Sequence, residues 1–213
     1  MFRSALLASV IVAGVGVTSP VLAQSTVYIP AILELSGAGA VSGTNFRDGM
    51  LLAIDEINAK GGILGRKIET PLLDTQSDAG ISRAQVQKVL DNKPFVILGP
   101  VFSGSVLVDM LLTQQAEIPE VVGGEAAAIT QKGNPSVFRT SFGQQFSMPK
   151  IANYMRDGVK AKTVGVLWVN NDFGKGGRDT FVKEMAARDI KVVADILTES
   201  GQADFSADVV KLK

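Results

Sequence analysis

The 213 residues include no cysteine and no histidine, and each absence removes a class of chemistry. Without imidazole or thiol there is no Ser-His-Asp or Cys-His nucleophile pair, and zinc loses its nitrogen and sulfur ligands. No disulfide can support the fold. Net charge is missing too: 21 basic residues balance 21 acidic ones, leaving no overall field to draw the chain onto nucleic acid or an anionic membrane. No basic run interleaved with aromatics makes up for this, so nucleic acid is not an expected partner.

Long apolar runs are also missing, apart from one near the N-terminus. The stretch "ALLASVIVAGVGV" after Arg3 is too short to cross roughly 30 Å of hydrocarbon but suits the apolar region of a secretory signal. In "SPVLAQ", Val21 and Ala23 fit the small-x-small rule, which predicts cleavage after Ala23 and a mature chain from Gln24. The other reading, a buried N-terminal helix, would need a polar face that the run does not have. Residues 1–23 thus read as a signal peptide, and the mature protein is expected to be soluble and periplasmic.

The mature chain alternates strand-like and helix-like segments. The β-branched runs "TVYIPAIL", "KIETPLL", "FVILG", "TVGVLWV" and "IKVVADIL" are separated by stretches with helical spacing. In "NFRDGMLLAIDEINAKGG", Phe46, Met50, Ala53, Ile54 and Ile57 fall on one face, and Gly61 follows as a stop. This spacing predicts a helix from about Asn45. Similar faces recur in "ISRAQVQKVLDN", "SVLVDMLLTQQAE" and "TFVKEMAARD". Alternation of this kind predicts a mostly parallel α/β sheet with helices on both faces, whose ligands bind in loops beyond the carboxyl ends of the strands.

Three such loops stand out. The first holds Ser36, Gly37, Gly39, Ser42 and Gly43. Its G-x-G-x-x-x-G spacing is a distant relative of a dinucleotide fingerprint, and Asp74 ends the next strand as a ribose-binding acid would. The third-glycine spacing does not fit, however, and an exported location disfavours a nicotinamide oxidoreductase. The second loop is "LGPVFSGS". There Ser103 either caps the helix running to about Ala116 or, with the unpaired first amides of that helix, receives a carboxylate. The third is "VVGGEAAAIT", where Gly123 and Gly124 allow close backbone approach. Its Glu125 supplies a negative charge or is a solvated residue near a helix start.

The order "LSGAGAVSG", "GMLLAIDEINAKGGILGRKIE", "LLDTQSD", "LGPVFSGS", "VVGGEAAAIT", "VFRTSF" and "VNNDFGKGG" resembles the branched-chain amino-acid binding protein family, periplasmic receptors of ABC importers. The resemblance implies a type I periplasmic-binding fold of two α/β lobes that close on an amino acid or related small carboxylate without chemistry or cofactor. An ABC permease is the implied membrane partner. Ser103 takes the place of the family's carboxylate-binding serine, and Gly123, Gly124 and Glu125 take the place of its backbone-and-hydroxyl loop. Phe173 replaces a tyrosine of the second lobe, and Ser42 stands where an aromatic often lines the pocket. Ser77 and Phe102 occupy the positions of a family disulfide. The implied ligand-binding set is Ser36, Ser42, Phe102, Ser103, Gly123, Gly124, Glu125, Ala126 and Phe173.

Two departures bear on specificity. Glu125 replaces a neutral residue and would repel a ligand carboxylate unless it faces the ammonium. Ser42 in place of a ring leaves room for a larger, even aromatic, ligand. A sensory domain of the same fold is the alternative function. "VFRTSF" reads as the first crossover, so residues 24–141 are expected to form the N-terminal lobe and 142–213 the beginning of an incomplete second.

Overall fold

The computed structural model describes residues 26–212, so the expected signal peptide and its cleavage after Ala23 lie outside the described residues. Strands β1 (Val27–Tyr28) and β2 (Ala31–Leu33) are two parts of one extended line. Pro30 has no N–H to give to the ladder and separates them. On the neighbouring line Pro71 separates β3 (Ile68–Glu69) from β4 (Leu72–Asp74). Hydrogen bonding continues across the gap, with Ile29 N–H donating to Glu69 C=O and Ala31 N–H to Pro71 C=O, both at 2.9 Å.

With β5 (Ile97–Leu98), β6 (Glu120–Val122) and β7 (Val137–Arg139), the order is β4-β2-β5-β6-β7 and every pairing is parallel. Counting β1–β2 and β3–β4 as single lines, the spatial order runs second, first, third, fourth, fifth. Such an order reverses direction between its first and third lines, so the loops leaving β2 and β5 diverge and open a crevice. The sequence reading found the first three lines but placed β6 and β7 in a loop and a crossover. Three residues each, "EVV" and "VFR" are too short to show any period.

Helix α1 (Ala40–Ala59) follows a 3-10 turn at Gly37–Gly39 and begins five residues before the expected start near Asn45. Gly43 had read as turn punctuation, but it serves close packing: a Cβ there would lie 2.0 Å from the Glu34 carbonyl oxygen. The helix stops as expected, with Gly61 and Gly62 at φ +104° and +80°. Its buried stripe is narrower than expected. Ile54 is buried and Met50 packs beside it, while Ala53 and Ile57 are exposed. Helix α2 (Ala79–Leu90) is capped by the Asp78 carboxylate, which accepts the Ile81 N–H at 2.8 Å. Helices α3 (Ser103–Gln115) and α4 (Ala128–Gln131) complete this larger unit.

Its core lies in three clusters, around Ile32, Val86 and Ile97, around Val27, Ile54 and Ile68, and around Val106, Val122 and Ile129. Fully burying such a side chain contributes roughly 1.5–3 kcal/mol. Glu34, Asp109 and Glu120 are buried with them; Asp109 accepts the Ser82 hydroxyl and Glu120 the Thr113 hydroxyl.

A smaller unit follows, built from α5 (Gln144–Asp157), β8 (Thr163–Val169), α6 (Asp172–Ala186), β9 (Lys191–Thr198) and α7 (Ser206–Val210). Strands β8 and β9 pair in parallel, and Ala152, Val164, Met185 and Ile190 form the core between them and the helices. Helix α5 escaped the sequence reading because Pro149 sits inside it and signals a break.

Candidate functional site

The glycine-rich turn after β2 spends its Leu35, Ser36 and Gly39 donors on the protein itself. The Asp74 carboxylate accepts the N–H groups of Leu35 (2.9 Å), Ser36 (3.1 Å) and Gln76 (2.8 Å) and the Ser36 hydroxyl (2.7 Å). Burial raises the pKa of Asp74, but these donors outweigh it and hold the group below its ordinary value. The Ser77 hydroxyl accepts the Gly39 N–H at 2.9 Å and donates to Ser36 C=O at 2.7 Å. The Leu35, Ser36 and Gly39 amides and Asp74 are thus not free for a pyrophosphate or a ribose. Ser77 and Phe102 both pack on this turn, the Phe102 ring standing 2.7 Å from where a Gly39 Cβ would be.

Glu34, which the sequence reading missed, joins the two divergent loops. Its fully buried carboxylate accepts Val101 N–H at 3.0 Å and Phe102 N–H at 3.1 Å. This fixes the chain just before α3, so the N-terminus of that helix points into the crevice.

Ser103 is not a cap. Phe102 holds the cap position without a side-chain bond, and Ser103 is the first helical residue. Its hydroxyl, 2% exposed, accepts the N–H groups of Glu125 and Ala126, each at 3.1 Å. Both acceptor sites are thereby filled, and the hydroxyl hydrogen remains to donate. On the other side, Arg139 donates to Ala126 C=O at 3.0 Å and Glu125 C=O at 3.4 Å. Burial lowers the pKa of Arg139 and the nearby Glu125 charge raises it, with a net lowering. Glu125 C=O also accepts the N–H of Gln144 at 2.9 Å. The loop after β6 is therefore gripped at the Glu125 and Ala126 amides and carbonyls, and these two amides donate to Ser103.

A cleft of about 820 Å³ opens between the two units, within the usual range for small-molecule sites. It brings together six of the expected residues, Ser42, Phe102, Ser103, Gly123, Glu125 and Phe173. The other three lie off its wall. Ser36 turns to Asp74, Ala126 is 2% exposed within a core cluster, and Gly124 faces inward, where a Cβ would meet Ile129 at 2.7 Å.

The smaller unit contributes more than Phe173. Asn171 caps α6 by accepting Gly174 N–H at 2.8 Å, and Asp172 reaches across so that its Oδ2 lies 3.0 Å from where a Gly104 Cβ would be. Glu199 and Phe205 line the same wall. The motif "NNDFGKG" pointed to Phe173 and could have yielded Asp172, whereas the loop after β9 carried no signal. Gln144 was also missed: it is 1% exposed and its side-chain N–H donates to Phe173 C=O at 2.8 Å. No group of three or more acidic residues among the described residues could hold a metal ion, and no helix there is long and apolar enough to cross a membrane.

A model of the periplasmic binding protein family matches residues 26–213. A Leu/Ile/Val-binding protein of Rhizobium johnstonii, BraC3, is 30% identical over 193 residues, which cover 90% of this chain and 53% of that protein. Among solved structures, the branched-chain amino-acid transporter substrate-binding protein LivJ of Streptococcus pneumoniae, in complex with isoleucine, superposes with a TM-score of 0.78 at 29% identity, over 88% of this chain and 54% of that one. The leucine-binding protein LivK of Thermotoga maritima gives a TM-score of 0.79 at 26% identity, over 87% of this chain and 52% of that one. The chain spans about half the length of the relatives it matches.

Proposed function

Because the chain belongs to the periplasmic binding protein family, we propose that it captures an amino acid or related small carboxylate outside the cytoplasm and delivers it to the permease of an ABC importer. The observation that carries this reading is the cleft between the units, with the start of α3 and the Ser103 hydroxyl in its wall. The first amides of a helix lack partners within it and carry the positive end of its dipole. A ligand carboxylate received there also gains the Ser103 hydroxyl hydrogen. Residues 24–141 act as the lobe that binds first, and residues 142–213 begin the lobe that closes, with Phe173 covering the ligand. Closure is driven by contacts to both lobes at once, since a ligand shifts the equilibrium only by its preference for the closed form.

The names of the relatives, which bind leucine, isoleucine or valine, support an amino acid as ligand. The reading assigns no catalysis. The test is a calorimetric titration of the purified full-length protein with amino acids and with benzoate. Saturable binding of at least one is expected, weakened in Ser103→Ala by roughly 1–3 kcal/mol, the cost of a lost buried hydrogen bond. Saturation by none of them, or an unchanged affinity in Ser103→Ala, would remove this site from the account.

A further inference from the structure

The charged side chains lining the cleft are all of one sign. Glu125 enters from the loop after β6, Asp172 from the first turn of α6 and Glu199 from the loop after β9, and no Lys or Arg is among the described residues that line it. None of the three forms an ion pair among the described residues. The Glu199 carboxylate accepts only a neutral amide, that of Asn170, at 3.2 and 3.3 Å. Arg139, whose charge interacts with that of Glu125, is not among the residues lining the cleft, and its guanidinium is committed to Ala126 C=O, Glu125 C=O and the Thr130 hydroxyl. Three elements far apart in sequence thus converge three carboxylates on one space.

A second observation points independently to a ligand in the same space. Ser103 lines the cleft at 2% exposure, its acceptor sites are filled by two amides, and its hydrogen is left to donate. That group requires an acceptor on the ligand, while the surrounding wall requires cations. A simple carboxylate satisfies the hydroxyl and is repelled by the wall. A neutral zwitterion offers one cation to three carboxylates. Phe102, Phe173 and Phe205 line the same cleft; such side chains suit a methylene stem, and an aromatic face attracts a cation at the end of one.

We infer that the cleft selects an amino acid with a cationic side chain, of the lysine or ornithine kind, over neutral amino acids and over carboxylates without an ammonium group. This rests on the receptor reading above and narrows it. The α-carboxylate docks at Ser103 and the start of α3, and the two ammonium groups share Glu125, Asp172 and Glu199. Asp172, which sits beside Gly104 in the first turn of that helix, pairs with an ammonium rather than repelling the incoming carboxylate.

The test is calorimetry on the purified full-length protein with L-lysine, L-ornithine, L-leucine and benzoate, at low and high salt. Lysine or ornithine should bind at least about tenfold more tightly than leucine, benzoate should not saturate, and the preference should shrink with salt as charge pairs do. Glu125→Gln, Asp172→Asn and Glu199→Gln should each lower the lysine-to-leucine affinity ratio. Asp172 and Glu199 are exposed, so their variants fold even if Glu125→Gln does not. Leucine binding as tightly as lysine overturns the inference and leaves the receptor reading standing. No saturable binding of any of the four overturns the receptor reading, and the inference with it.

Discussion

The two units solve the burial of a parallel sheet in opposite ways. In the larger, the inner strands β2, β5 and β6 are only two or three residues long and mostly inaccessible, because each has neighbours on both sides and helices above and below. In the smaller, β8 and β9 are seven and eight residues long, yet they alternate between buried and exposed positions. Helices α5 and α6 cover one face of that pair, while Leu167, Val193 and Leu197 on it are 41%, 58% and 44% exposed. Strand length is thus no guide to burial; layering is. One device is shared. In each unit the helix after a strand begins with a glycine against the carbonyl that ends the strand, Gly43 against Glu34 and Gly174 against Val169, where a Cβ would lie 2.0 Å from the oxygen.

The comparison can be broken at that shared point. Gly43→Ala should cost about 3 kcal/mol or more, since backbone and not a flexible side chain blocks the methyl group. Gly174→Ala should loosen the smaller unit first, so that thermal melting followed by near-ultraviolet dichroism shows an early Trp168 transition. A single unchanged transition in both variants would refute the equivalence.

The buried acids sharpen the contrast next. Burial pushes Asp109 up to about 7 and Glu120 to about 8, the charges of Glu34 and Asp109 respectively adding to the rise, while Ser82, Arg83 and Thr113 oppose it. Both values lie above those of the unfolded chain, so the native state holds protons that the unfolded state releases. The contribution of these two protons to stability is full below about pH 4 and is lost as pH rises through 7 and 8, by roughly 1.4 kcal/mol per pH unit for each group between its unfolded and native values. Denaturant titrations between pH 5 and 8 should show this loss in the larger unit, and Asp109→Asn should flatten it.

Surface changes in the smaller unit should matter least. Arg178 binds Asp195, whose other oxygen accepts the Trp168 N–H at 2.7 Å. The pair is largely open to solvent, so Arg178→Ala should cost no more than about 1 kcal/mol. Val193→Lys, on the uncovered face, should stay within about 0.5 kcal/mol. A loss of several kcal/mol in its melting curve would mean that this face is covered in solution.

The sequence carried the α/β alternation, the parallel sheet and the family motifs because β-branched runs, helical periods and glycine stops are local signals. Three-residue strands such as β6 and β7 carry no period, and Pro149 masked α5. At the site, Ser103 and Phe173 were legible from motifs, whereas Glu34, Asp172, Glu199 and Gln144 were not. Their roles depend on which loops the sheet order brings face to face. Asp74 showed the opposite failure: an acid at the right spacing for a ribose is consumed by the turn beside it.

Gln144 has a further consequence. Its main chain hangs from Glu125 in one unit, and its side-chain amide holds Phe173 in the other. In mechanical terms it is a linkage arm one side chain long, pivoting on the peptide that carries Glu125. Any swing of the α6 end about the crossover is delivered to that peptide as torque, and a pull on Glu125 is returned to Phe173 through the same arm.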